Sequence, residues 1–160
     1  YRRWETFMQR FDRVVAPVVA LGVQSLDVDL VSIEYFDRFL FDGPRQKALP
    51  AALLVGINNI LHPDAASGRT MWHYHRGWFE QSGVGDVLVN QNIDAVDTAQ
   101  PETGEPVRTI NLLTKAEARS ANCNVDSTPI VDLLDSLHEV TKRYFVQAVQ
   151  PSMLNSVGIQ

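Results

Sequence analysis

The densest run of chemistry-bearing side chains is Met71 to Glu80, MWHYHRGWFE. On a strand every second residue shares a face, about 7 Å further along, so His73 and His75 stand close enough to share a ligand. That pair suits a metal-dependent enzyme if further ligands come from elsewhere, and Asp37, Glu34 and His138 are the candidates. The same alternation fits a half-buried strand whose imidazoles bond to neighbours or water. Trp72, Tyr74, Arg76 and Trp78 take the opposite face. They offer a groove for a ligand or partner, because aromatic side chains dominate recognition surfaces.

A second cluster, Glu34, Asp37 and Arg38, lies within DVDLVSIEYFDRFLF. Two carboxylates and a guanidinium suit a polar ligand or proton transfer. They equally suit a cross-strand ion-pair network closing on Arg76 or Lys115. Asp37 interrupts an otherwise apolar face of Val31, Ile33, Tyr35, Phe39 and Phe41, which signals a bulge or a functional carboxylate. There is no GxSxG, P-loop or GxGxxG, and His138-Glu139 is not completed to HExxH. No catalytic constellation or cofactor motif is therefore legible, and no cofactor is expected.

The elements that must position these residues follow from periodicity. From Arg2 to Leu21, Phe7, Met8, Phe11, Val14, Val15 and Val18 recur at helical spacing, with Pro17 a point of kinking and Gly22 a stop. Asp27 to Phe41 reads as a long strand ending at Asp42-Gly43-Pro44, and Leu49 to Leu61 as a short helix entered at Pro50. Arg69 to Gln81, Asp86 to Thr98 and Val107 to Ala118 read as strands. Ser82-Gly83-Val84-Gly85 joins the first two as a hairpin, and an exposed loop, Gln100 to Pro106, joins the second pair. Thr128 and Pro129 open a long amphipathic helix carrying Ile130, Leu133, Leu134, Leu137, Val140, Thr141, Tyr144, Phe145 and Ala148. Pro151 stops it, and Gly158 caps a final turn. Short connections predict an α+β domain with an antiparallel sheet of about four strands, a meander packed against an N-terminal and a long C-terminal helix.

Length and composition bound the rest. The 160 residues suit one domain and should bury roughly 70% of the unfolded surface, so folding needs neither metal nor disulfide. Lys and Arg number 14 against 19 Asp and Glu, a net charge of −5, and the basic residues are scattered. That disfavours nucleic acid and anionic membranes. The one cysteine, Cys123, excludes an internal disulfide and has no electropositive neighbours, so it reads as a structural thiol. No apolar run approaches the ~18 residues of a membrane helix, and the N-terminus lacks the apolar core of a signal peptide. A cytoplasmic location follows as the expectation.

Three motifs in order carry a resemblance: YRRWE at the N-terminus, SIEYFDRF at Ser32 to Phe39, and WHYHRGWFE at Trp72 to Glu80, followed by LHEVTKRYF in the last helix. The chain resembles a sporadically distributed family of uncharacterised prokaryotic proteins with a YPRYE- or YPRWE-like motif, a YxDRF strand motif and a WHxHxGWF-like strand. The resemblance spans essentially the whole chain and departs at Arg2, where proline is expected. It implies an α+β fold and carries over no functional residue. Family members have strands and a helix before the first motif, so a chain opening at Tyr1 is expected to be the C-terminal part of a longer protein. An apolar face should then seek its other half or a second copy. The function expected is a non-enzymatic interaction or small-ligand-binding module, with a metal-dependent enzyme built on His73 and His75 as the alternative.

Overall fold

The computed structural model describes residues 4–22, 28–41, 43, 47–100, 102–124 and 128–156, without the side chains of 16, 19 and 22. Residues 1–3 of the first motif, Asp42 and Pro44 of the expected turn, Pro101 and Gly158 lie outside these residues. Four strands form one antiparallel sheet: β1 (Leu30–Leu40), β2 (Trp72–Ser82), β3 (Gly85–Ala99) and β4 (Pro106–Arg119). Their order is β1-β4-β3-β2. Thus β2, β3 and β4 make a meander, while β1 sits beside β4. Pairing there gives β4, the strand richest in buried residues, a neighbour on each edge.

The β2–β3 hairpin closes through Gly83 and Val84, as the spacing predicts. Gly85 follows with φ 119°, and a Cβ there would lie 2.6 Å from the Asn122 carbonyl oxygen. Only glycine lets the strand pass so close to the segment carrying Cys123. The Cys123 thiol is itself buried and donates to the Asp86 carbonyl at 3.2 Å.

Pairing between β1 and β4 runs without interruption from Leu30 opposite Arg119 to Leu40 opposite Thr109. Asp37 therefore occupies regular strand, and the expected bulge is absent. The expected helix over 49–61 is broken: α2 (Pro50–Leu53) ends at Leu54, and a 3-10 turn covers Ile57–Asn59. Gly56, left-handed at φ 67°, separates them. A one-turn α3 (Pro63–Ala66) leads to β2.

The helices cover one face of the sheet. Helix α1 (Trp4–Gly22) continues through Pro17, and its Trp4, Met8 and Phe11 lean on the core while Val14, Val18 and Leu21 stay exposed. Helix α4 (Ile130–Ala148) packs across β1 and β4 and buries Leu133, Leu134, Leu137, His138, Val140, Thr141 and Phe145. It starts after Pro129, whose ψ of 136° is extended, so Pro129 precedes the helix rather than opening it. Thr128 supplies no side-chain cap. The short α5 (Pro151–Ser156) adds buried Leu154. No helix among the described residues is long and apolar enough to cross a membrane.

Two apolar clusters lie under the helices. One gathers Val31, Ile33, Val87, Val89, Ala116 and Ala118 against Leu133, Leu134, Leu137 and Val140. The other gathers Leu53, Leu54, Ile57, Ile93, Ile110 and Leu112 against Phe145 and Val149. Between them the register aligns one polar row, Tyr35, Thr114, Gln91 and Arg76. The fully buried Gln91 donates to Thr114 Oγ1 at 3.4 Å and to the Tyr144 carbonyl at 3.3 Å, and it accepts from Arg76 Nε at 3.0 Å. Each buried amide group thereby finds a partner, which a mid-core glutamine requires. This polar belt crosses the sheet from edge to edge.

Candidate functional site

The belt ends at the β1 edge in a cleft of about 660 Å³, lined by Trp4 and Phe7 of α1, Ser32 to Tyr35 and Asp37 of β1, and Leu134 and His138 of α4. Its walls follow from three sequence facts. The N-terminal turn of α1 places Trp4 and Phe7 on one side, one helical turn apart. Alternation on β1 turns Tyr35 and Asp37 to the helix face. His138 interrupts the leucine stripe of α4, four residues after Leu134.

These groups are in direct contact. The Trp4 indole stacks on His138 with ring centroids 4.1 Å apart and planes 5° from parallel. Its Nε1–H donates to Asp135 Oδ1 at 2.8 Å, tying α1 to α4. Phe7 stacks beside Trp4 at 5.1 Å. The Tyr35 hydroxyl lies 2.7 Å from His138 Nδ1. Burial lowers the His138 pKa, which favours the neutral imidazole.

Burial dominates the electrostatics of the cleft, and at Asp37 the positive charge of the chain N-terminus opposes it. Burial, then the nearby Asp37 charge, pushes the Tyr35 phenol up to about 12. Burial raises the Asp37 carboxyl above its ordinary value. Asp37 Oδ2 is buried without a hydrogen-bond partner. Among the described residues no lysine or arginine lines the cleft. Because β1 is an edge strand, half its backbone hydrogen-bonding groups also point away from the sheet.

The other predicted residues are dispersed. Glu34 and Arg38 face away from the helices, on the side opposite Asp37, so the Glu34–Asp37–Arg38 cluster does not form one site. Arg38 Nε donates to Asn111 Oδ1 at 3.2 Å, and Lys115 bridges to Glu117 at 2.6 Å. Neither the Arg76 nor the Lys115 closure expected for that cluster appears among the described ion pairs. Trp72, Tyr74 and Trp78 share the helix face with Arg76, but Trp72 and Tyr74 pack on the second apolar cluster and Trp78 on the first. Trp78 Nε1 donates to the Tyr144 hydroxyl at 3.2 Å, which in turn donates to Glu80, and Arg76 stacks over the Trp78 ring.

His73 and His75 share the open face as alternation requires, their ring centroids 6.5 Å apart. His73 bonds to Asp94. Among the described residues no group of three or more His, Cys, Asp or Glu side chains is placed to hold a metal ion. The Asp37, Glu34 and His138 proposed to complete the site do not converge on this pair: Asp37 and His138 lie on the opposite face, and Glu34 stands on β1, three strands from β2.

Sequence reading singled out Asp37 but passed over Trp4, Phe7 and Tyr35 as site residues, and weighed His138 only as a metal ligand. A histidine within an apolar helical stripe was the available signal. No protein-family model, curated protein or solved structure matches the chain. The family resemblance accordingly stands on its motifs alone.

Proposed function

We propose that the chain is a binding module whose β1-edge cleft takes a small organic cation, an amine or quaternary ammonium carrying an apolar or aromatic group. The observation that carries this is the buried, unpartnered Asp37 oxygen facing a cleft walled by Trp4, Phe7 and Tyr35. A carboxylate held away from water favours a cation that restores its lost solvation. Aromatic faces attract the same charge through their quadrupoles, by about 0.5–2 kcal/mol each. The cleft volume of about 660 Å³ falls within the roughly 300–1,000 Å³ of small-molecule sites. Burial favours a neutral imidazole at His138.

The test is a ligand panel of matched shape: phenethylamine, benzyltrimethylammonium, phenethyl alcohol and phenylacetate, titrated into isotopically labelled protein. The two cations should shift the Trp4 indole, Tyr35 and His138 resonances in a saturable manner, and the alcohol and acid should shift them weakly or not at all. Equal shifts from all four, or shifts confined to other surfaces, would remove the proposal.

A further inference from the structure

Among the described residues no helix covers the face of the sheet away from α1 and α4, and its side chains are arranged in a grid that the register fixes. In successive rows across β1, β4, β3 and β2 stand Arg38, Asn111, Asp94 and His73, then Phe36, Leu113, Asn92 and His75, then Glu34, Lys115, Asn90 and Gly77, then Ser32, Glu117, Leu88 and Phe79. Phe36 is 54% exposed and Phe79 62% exposed, and Leu30, Leu40 and Met71 at the borders are exposed as well. Gly77 is flat because a Cβ there would meet Asn90 Oδ1 at 2.7 Å. At the centre of this face Asn111 and Glu117 are buried by their neighbours, while the exposed apolar side chains stand on the two edge strands and at the borders.

Charge is divided between the two halves of this face. Arg38, Lys115 and Arg119 stand on β1 and β4 beside Glu34, with Glu117 held between Lys115 and Arg119. Asp86 and Asp94 stand on β3, and neither β3 nor β2 contributes a lysine or arginine to the open face. A second copy laid face to face about a two-fold axis parallel to the strands places β1 over the partner's β2, and β4 over the partner's β3. Arg38 then meets the Asp94–His73 row, Arg119 meets Asp86, and Phe36 meets His75. Leu40 comes over Met71, and Glu34 comes over the space left by Gly77. No like charges oppose one another. Turning the axis perpendicular to the strands loses this, since Arg38 would face Ser32 and Asp94 would face Leu88.

The extent also fits. Four strands at about 4.8 Å spacing and eleven residues at about 3.3 Å give a face of roughly 700 Å². A stable interface covers about 800 Å² per partner. We infer that this face is the interface of a homodimer in which two sheets pack face to face, with Arg38 of each copy paired to Asp94 of the other.

Sedimentation equilibrium on the full chain tests this, with Arg38→Glu, Asp94→Arg and the double reversal compared at matched concentration. Circular dichroism would verify that each variant keeps its fold. The wild type should be dimeric at about 100 µM, and each single reversal should weaken association at least about tenfold. The double reversal should recover most of that loss. Phe36→Ser should also weaken association, through lost apolar contact rather than charge. A monomeric wild type at that concentration, or a dimer indifferent to both single reversals, would overturn the inference. So would a double reversal no better than the worse single change.

Discussion

Replacing Asp37 by leucine should stabilise the fold while removing cation binding. Asp37 lies opposite the fully buried Leu112 and shares its face with Tyr35 and Phe39, so a leucine would extend existing apolar contacts. An unsatisfied buried oxygen costs about 1–3 kcal/mol. Asp37 is only partly buried, and a net gain of about 2 kcal/mol corresponds to roughly 4–8 °C in Tm for a chain of this size. The pH dependence has a definite sign. Burial raises the folded-state pKa of Asp37, so the folded chain holds this proton more tightly than the unfolded chain. Its cost is fully present above the raised pKa and disappears below the ordinary carboxylate range. Thermal unfolding followed by circular dichroism at about pH 7 and about pH 3 should therefore show the ionisation part of the advantage at the higher pH only. A loss of stability of similar size at both pH values would make the carboxylate a structural group and refute the reasoning.

Three further expectations follow from other parts of the structure. Trp4→Ala removes the stack on His138 and the bond to Asp135, and should cost about 2 kcal/mol in denaturant unfolding. It should also raise amide exchange along α1. Burial alone would raise the Glu117 pKa, but hydrogen bonds and charge from Lys115 and Arg119 more than offset it and hold the carboxyl below its usual value. Its stabilisation is thus present at neutral pH and fades as pH falls through that lowered value. Glu117→Gln should be destabilised by about 1–2 kcal/mol at neutral pH, with the difference shrinking in acid unfolding series. Of the four tyrosines, one should resist ionisation until about pH 12 in ultraviolet titration, and Tyr35→Phe should abolish that late step.

The long regular elements were legible because their patterns are redundant. Alternation assigned the side chains from Leu30 to Leu40 in β1, and Trp72 to Arg76 with Trp78 in β2, to their observed faces. The leucine stripe of α4 likewise announced the helix that covers the sheet. What failed depended on information that periodicity does not carry. The helix over 49–61 breaks because Gly56 adopts a left-handed conformation and Leu54 pairs with Val149. The position of β1 beside β4 reflects which strand most needs two neighbours. Asp37 stood out because it broke an apolar face, yet its partners lie about a hundred residues away in α4 and on the first turn of α1. His138 and Trp4 each looked like ordinary occupants of amphipathic helices, and only the packing of α1 over α4 makes them the walls of one cleft. Gln91 and Thr114, hidden in strands read as plain alternation, form the polar belt that leads to it.

The central claim is that one carboxylate gives the cleft its preference for positive charge. Isothermal titration of phenethylamine and its neutral isostere phenethyl alcohol, against wild type and Asp37→Asn, measures that directly. The account predicts at least about a tenfold preference for the amine in the wild type, reduced to near parity in Asp37→Asn. An amine preference that survives the substitution undiminished, or a wild type that binds both probes equally, would contradict it.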